Sequence, residues 1–140
     1  MGVWRYGVSL FYMWVARMHR HFGIIHTNQG EYVSAVSDYS RALSINPGFA
    51  QAYLERGILL WRELGQIGQA IGDFSFALRL RPDWPEALFF RGLAHQGASN
   101  YSEAVHDLSA YLDTKDMSWR EDAIRQLSLI HPIRDEVTEK

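Results

Sequence analysis

The chain has no cysteine among its 140 residues. Without thiols there is no disulfide framework, no thiolate metal site and no cysteine nucleophile. A small cross-linked secreted scaffold is therefore not expected, and the expected compartment is a reducing one, the cytoplasm. A dominant charge is also missing: 14 Lys plus Arg oppose 16 Asp plus Glu for a net charge of −2. No overall field draws phosphate backbones, so nucleic acid is not an expected partner.

Long hydrophobic runs are scarce. The longest uncharged stretch near the N-terminus, Tyr6 to Ala16, has eleven residues. That is short of the about 20 needed to span a bilayer, so membrane insertion is not expected. The run has the length of a signal-peptide core, but Arg17, Met18 and His19 follow it where a small-residue cleavage site would stand. The expectation is an apolar N-terminal segment over 1–15. It either folds back into a groove or extends the first helix through Leu10, Trp14, Met18 and Phe22, which fall at four-residue steps.

Catalytic signatures are absent as well. There is no GxxxxGK[ST] loop to cradle phosphates. His19 and His21 point to different sides of a helix, and neither stands four residues from His26, so no helical zinc pair forms and no metal or other cofactor is expected. Asp38, Asp73 and Asp107 stand at equivalent places in a repeat. That placement suits solvation or a repeated pairing with a basic side chain better than one active site, which needs unlike residues converging. Enzyme activity is not expected.

What the chain does contain is a repeated phrase. GEYVSAVSDYSRALSINP, from Gly30 to Pro47, returns as GQIGQAIGDFSFALRLRP from Gly65 to Pro82 and, more weakly, as SNYSEAVHDLSAYLDT from Ser99 to Thr114. Gly23, Gly57 and Gly92 are 34 and 35 residues apart, and Ala35, Ala70 and Ala104 are 35 and 34 apart. Tyr39, Phe74 and Leu108 keep the same step, as do Ala42, Ala77 and Tyr111.

Within each unit apolar residues recur at three- and four-residue steps in two runs, which predicts two helices. The breaks between them are expected at Gly30, at Gly65 and at Ser99-Asn100, residues that tolerate turn conformations. Pro47 and Pro82 close the second helices. Asp83 is expected to cap the next helix, with Pro85 in its first turn, and Ser118-Trp119-Arg120-Glu121 repeats that start signal before a last helix, which Pro132 is expected to end. The glycines of the first helices are expected to face the alanines of the second, letting the pair approach closely. Each hairpin then leaves an apolar face that the next one covers.

The pattern resembles the tetratricopeptide repeat, whose 34-residue unit carries an aromatic, Leu, Gly and Tyr in one helix, Ala, an aromatic and Ala in the next, and a closing Pro. The departures are His19 in the first aromatic slot, Phe22, Arg56 and Arg91 in the Leu slot, His26, Leu60 and His95 in the Tyr slot, and Tyr111 and Asp116 in the third unit. The resemblance implies an all-α, right-handed superhelical array of three helix hairpins over 16–49, 50–84 and 85–118. A capping helix over 119–131 and a polar tail over 132–140 complete it.

In such arrays the first helices line a concave face that binds peptides. By resemblance the partner-binding positions are Arg17, Arg20, Ile24, Leu54, Ile58, Trp61, Arg62, Phe89, Phe90 and Leu93. Seven of these, Ile24, Leu54, Ile58, Trp61, Phe89, Phe90 and Leu93, are expected to form one exposed apolar patch, of the kind that marks a binding surface. A protein or peptide partner offering apolar side chains and an acidic group follows; the alternative is a structural subunit that uses the groove and the N-terminal segment for homo-oligomerisation or attachment to a membrane surface. The carboxylate clamp that holds chaperone tails in some members would fall on Arg20, Ile24, Glu55, Glu86 and Phe90. Only Arg20 has the needed charge there, so that subclass is not expected.

Overall fold

A computed structural model describes the backbone of residues 2–26 and 28–138, and side chains except at 25, 26 and 133–138. The side chain of His26, expected in the Tyr slot of the first unit, thus lies outside the described residues, as do positions 1, 27, 139 and 140. Among the described residues seven helices follow one another: α1 (Gly2–His26), α2 (Gln29–Ile45), α3 (Ala50–Arg62), α4 (Ile67–Leu80), α5 (Pro85–Gly97), α6 (Tyr101–Leu112) and α7 (Arg120–Thr138). The helices pair as three hairpins, α1 with α2, α3 with α4 and α5 with α6. Successive hairpins stack, and α7 closes the last one. Among the described residues, no helix is long and apolar enough to cross a membrane.

Two of the three expected breaks stand where the turn residues are. Gly65 has φ 65° and Ser99 has φ 62°, left-handed values that let a helix end and the chain reverse. The first break differs. Gly30 lies inside α2, because the side chain of Asn28 accepts a hydrogen bond from the Gly30 amide at 2.9 Å and starts the helix earlier. A capping side chain satisfies an orphan donor, which a glycine cannot do. α2 therefore begins three residues before the position of Tyr32, the equivalent of the first residues of α4 and α6.

Other helix ends also depart from expectation. Trp84, not Asp83, holds the position before α5, with no side-chain cap, and Pro85 opens the helix at a position where its missing N–H is no loss. α7 does not stop at Pro132 but continues to Thr138 with the proline inside it. Proline leaves the Ser128 carbonyl without its helical donor; Ser128 and Pro132 are both exposed, so water can take that role.

The N-terminal segment is the outer half of α1 and does not fold back. Ser9, Met13 and Ala16 are its buried face, while Leu10, Trp14 and Phe22 point outward. Ser9 Oγ donates to the Ala42 carbonyl at 3.0 Å and Arg5 Nη2 to the Ile45 carbonyl at 3.2 Å, so the extension places a cation at the C-terminal end of α2.

The close contacts that make each hairpin also differ in detail from a glycine facing an alanine. A Cβ on Gly57 would lie 2.7 Å from the Phe74 ring, one on Gly92 2.8 Å from Leu108, and one on Gly23 2.6 Å from Tyr32. The glycines thus receive the large side chains of the second helix, and the alanines Ala35, Ala70 and Ala104 are fully buried beside them.

Candidate functional site

Polar chemistry inside the array is repeated and structural. Arg56 on α3 clamps Asp73 on α4 through Nε at 2.8 Å and Nη2 at 2.7 Å, and its Nη1 donates to Ser40 of the preceding hairpin at 2.9 Å. One unit later Arg91 does the same to Asp107, at 2.6 and 2.7 Å, and to Ser75 at 3.2 Å. The repeated aspartates are therefore held by arginines that read in the sequence as variants of a leucine slot. In the first unit Phe22 takes that slot, and Asp38 instead has Arg41 at 3.3 Å and His19 at 3.6 Å. Bidentate charge-assisted bonds of this kind fix orientation as well as contributing energy.

Glu55 is the other buried carboxylate. It receives Arg17 Nε at 2.9 Å, Gln51 at 3.0 Å and the Tyr39 hydroxyl at 2.9 Å. Burial alone would push its carboxyl up, but the bonds from Arg17, Gln51 and Tyr39 outweigh that and hold it below the usual range. Burial and the neighbouring Glu55 charge push the Tyr39 phenol far up. Arg17 is thereby engaged within the protein, joining α1 to α3, and does not face a partner as an open charge.

The expected apolar patch is divided by the fold. Leu54 is fully buried, and Phe89 and Phe90 are buried too. Phe89 stacks on Trp119 with ring centroids 5.2 Å apart and planes 10° apart; Phe90 lies against Trp61, Phe74 and Trp119. Trp61 and Leu93 are half-buried against this cluster. The C-terminal half of the expected groove is thus filled by the chain's own aromatics. Trp119, read in the sequence as part of a helix start, supplies the covering ring. Its spacing gave no sign of this, because it lies outside the repeat.

The N-terminal half stays open. Arg20 and Ile24 of α1 meet Ile58 and Arg62 of α3, with Leu59 and Glu63, around a cleft of ≈ 210 Å³. Ile24 is exposed and Ile58 half-buried. Neither Arg20 nor Arg62 makes a hydrogen bond or ion pair among the described residues. Four of the ten expected positions therefore come together in one cleft, two arginines beside two isoleucines. Among the described residues, no group of three or more His, Asp or Glu side chains is placed to hold a metal ion.

At the other end, Glu86 in the first turn of α5 has its carboxyl pushed up, first by burial and then by the charges of Glu55 and Asp116. Asp116 is held below the usual range, first by the Ser118 amide and then by the Tyr111 hydroxyl. The face is thus basic around α1 and α3 and acidic around the start of α5.

No protein-family model matches the chain, and no curated protein sequence does. Solved structures do. The first TPR of Spaghetti (RPAP3) bound to the HSP90 peptide SRMEEVD superposes with a TM-score of 0.70 at 21% identity, over 88% of this chain and 95% of that one. The MamA protein gives 0.80 at 19% identity over 96% of this chain, which spans 66% of the MamA chain. The Sgt2 TPR domain from Aspergillus fumigatus gives 0.69 at 20% identity, over 89% and 82%. At these identities the likeness shows the fold: the chain has the helix-hairpin array seen in tetratricopeptide-repeat domains.

Proposed function

We propose that this tetratricopeptide-repeat array is a non-catalytic interaction module that binds a peptide or helix of a protein partner in the cleft between α1 and α3. The observation that carries the reading is the pairing of two unengaged guanidiniums, Arg20 and Arg62, with the apolar side chains of Ile24 and Ile58. A ligand for such a surface offers an apolar side chain to the floor and a carboxylate to the rim. The first gives burial energy, and the second gives charge-assisted bonds that set register.

The HSP90 peptide held by the RPAP3 domain is not the ligand proposed. Of the five positions the resemblance assigns to a carboxylate clamp, Glu55 already holds Arg17, Phe90 is buried and Glu86 is acidic. A multiply charged acidic tail would meet repulsion from Glu86 at the start of α5.

Selection of a displayed twelve-residue peptide library on the 140-residue chain tests the proposal. Enriched peptides should place an Asp or Glu within a turn of a Leu, Ile or Phe. Their affinity should fall about tenfold or more in Arg20→Ser/Arg62→Ser, whose melting temperature should not move. Undiminished binding by that variant would place recognition elsewhere.

A further inference from the structure

The outer half of α1 presents a second apolar surface, on the side of the helix opposite its buried face. Val3, Gly7, Leu10 and Trp14 succeed one another at steps of four, three and four, the heptad spacing of a helix–helix seam, and Trp4 and Phe11 flank it seven residues apart. Trp4 is 79% exposed, Trp14 61% and Phe11 56%. A monomer seldom leaves so large a contiguous apolar stripe in water.

The stripe is also uncharged. Arg5 is the sole charged residue among the first sixteen, and its guanidinium reaches inward to the Ile45 carbonyl. At its centre is a notch. A Cβ on Gly7 would meet nothing within 4 Å, and Val3, Trp4, Gly7, Val8 and Phe11 surround a shallow cavity of ≈ 580 Å³ there.

We propose that this stripe is an interface with a second copy of the chain, two α1 helices packing antiparallel about a twofold axis at Gly7. In that register Gly7 faces its own copy, Trp4 faces Leu10, and Phe11 faces Val3, so these two rings each meet a smaller side chain, the backbones approach at the notch, and Trp14 lies at the edge of the contact. An isologous contact of this kind requires a self-complementary patch, and a notch with a large ring on either side is one.

The area suits a dimer. With about 150–250 Å² for each aromatic, the exposed parts of these side chains amount to roughly 600 Å² per copy. That lies somewhat under the about 800 Å² per partner of a standard interface, which points to a reversible dimer and not to a permanent one. An anionic membrane surface is the less suitable occupant. Helices that lie in such a surface carry Lys and Arg along their polar flank, whereas here the flank opposite the stripe is packed on α2.

The absence of native cysteine makes the test direct. Light scattering after size exclusion of the 140-residue chain should show a monomer–dimer equilibrium up to about 100 μM. The variant Trp4→Ser/Phe11→Ser should be monomeric with unchanged circular dichroism. On oxidation, Gly7→Cys should form a covalent dimer several-fold faster than Val33→Cys, a control at an exposed site on α2. A wild-type monomer throughout, a dimer that survives Trp4→Ser/Phe11→Ser, equal cross-linking at 7 and 33, or flotation of a monomer with phosphatidylserine vesicles would each overturn the proposal. The Arg20–Arg62 cleft lies apart from this stripe, so the peptide affinity of Trp4→Ser/Phe11→Ser should equal that of the wild type, and the two readings can fail separately.

Discussion

Arg56 holds Asp73 fork to fork, at 2.8 and 2.7 Å, while its third nitrogen reaches Ser40 in the hairpin before, so one guanidinium ties three helices together. Asp73 is 5% exposed and lies within a stack of apolar side chains, where an unpaired carboxylate is costly.

Arg56→Ala should therefore destabilise the chain by about 3–5 kcal/mol, and Arg56→Met/Asp73→Leu should recover much of that loss, since removing both partners leaves no buried charge. Chemical denaturation of the two variants and a double-mutant cycle measure the difference. Equal stability of Arg56→Ala and wild type would mean that the pair is dispensable.

Glycines of the array should respond in opposite directions. Gly57→Ala pushes a methyl into the Phe74 ring and should cost about 1–3 kcal/mol by overpacking. Gly72→Ala, inside α4 and with open space around it, should stabilise by about 0.5–1 kcal/mol through helix propensity. Melting temperatures of the two single variants check both signs.

Glu86 carries the pH dependence that its surroundings impose. Burial, then Glu55 and Asp116, raise its folded carboxyl above the unfolded value, so its favourable contribution is present below the unfolded value and is lost as pH rises through the folded one. Glu86→Gln should thus gain thermal stability over wild type at pH 7 and lose that advantage at about pH 3, where both states are protonated. Scans at the two values decide it. Glu55 runs the other way: its depressed carboxyl stabilises above the unfolded value, and this is lost as pH falls through the folded one.

The aromatic cluster should behave as core. Phe89→Ala should cost about 3–5 kcal/mol, a large part of the about 5–15 kcal/mol that holds a domain together, and thermal unfolding will show it. Ile24→Ala, at an exposed position of the open cleft, should change stability by no more than about 0.5 kcal/mol.

Several of these features were legible without coordinates. The 34- and 35-residue recurrence of Gly23, Gly57 and Gly92 identifies the hairpins, because a helix pair brought close together needs a small residue at the same place each time. Gly65 and Ser99 mark turns because their left-handed backbone is local. Recurrence left solvation or pairing with a basic side chain open for Asp73 and Asp107, and the arginines that hold them were not apparent, since Arg56 and Arg91 stand in slots that usually hold leucine.

The sequence by itself determined the helical periods, the number of hairpins and their order, all of which follow from spacing along one chain and from the need to bury a repeated apolar face. Only the tertiary structure decided which groove positions stay open. Phe89 and Phe90 stand at positions that the resemblance makes part of an exposed face, yet Trp119, outside the repeat, covers them; Arg17 looks free until Glu55 is brought beside it. Solvent exposure is a property of what packs against a residue from another part of the chain, and no periodicity in its own helix encodes that.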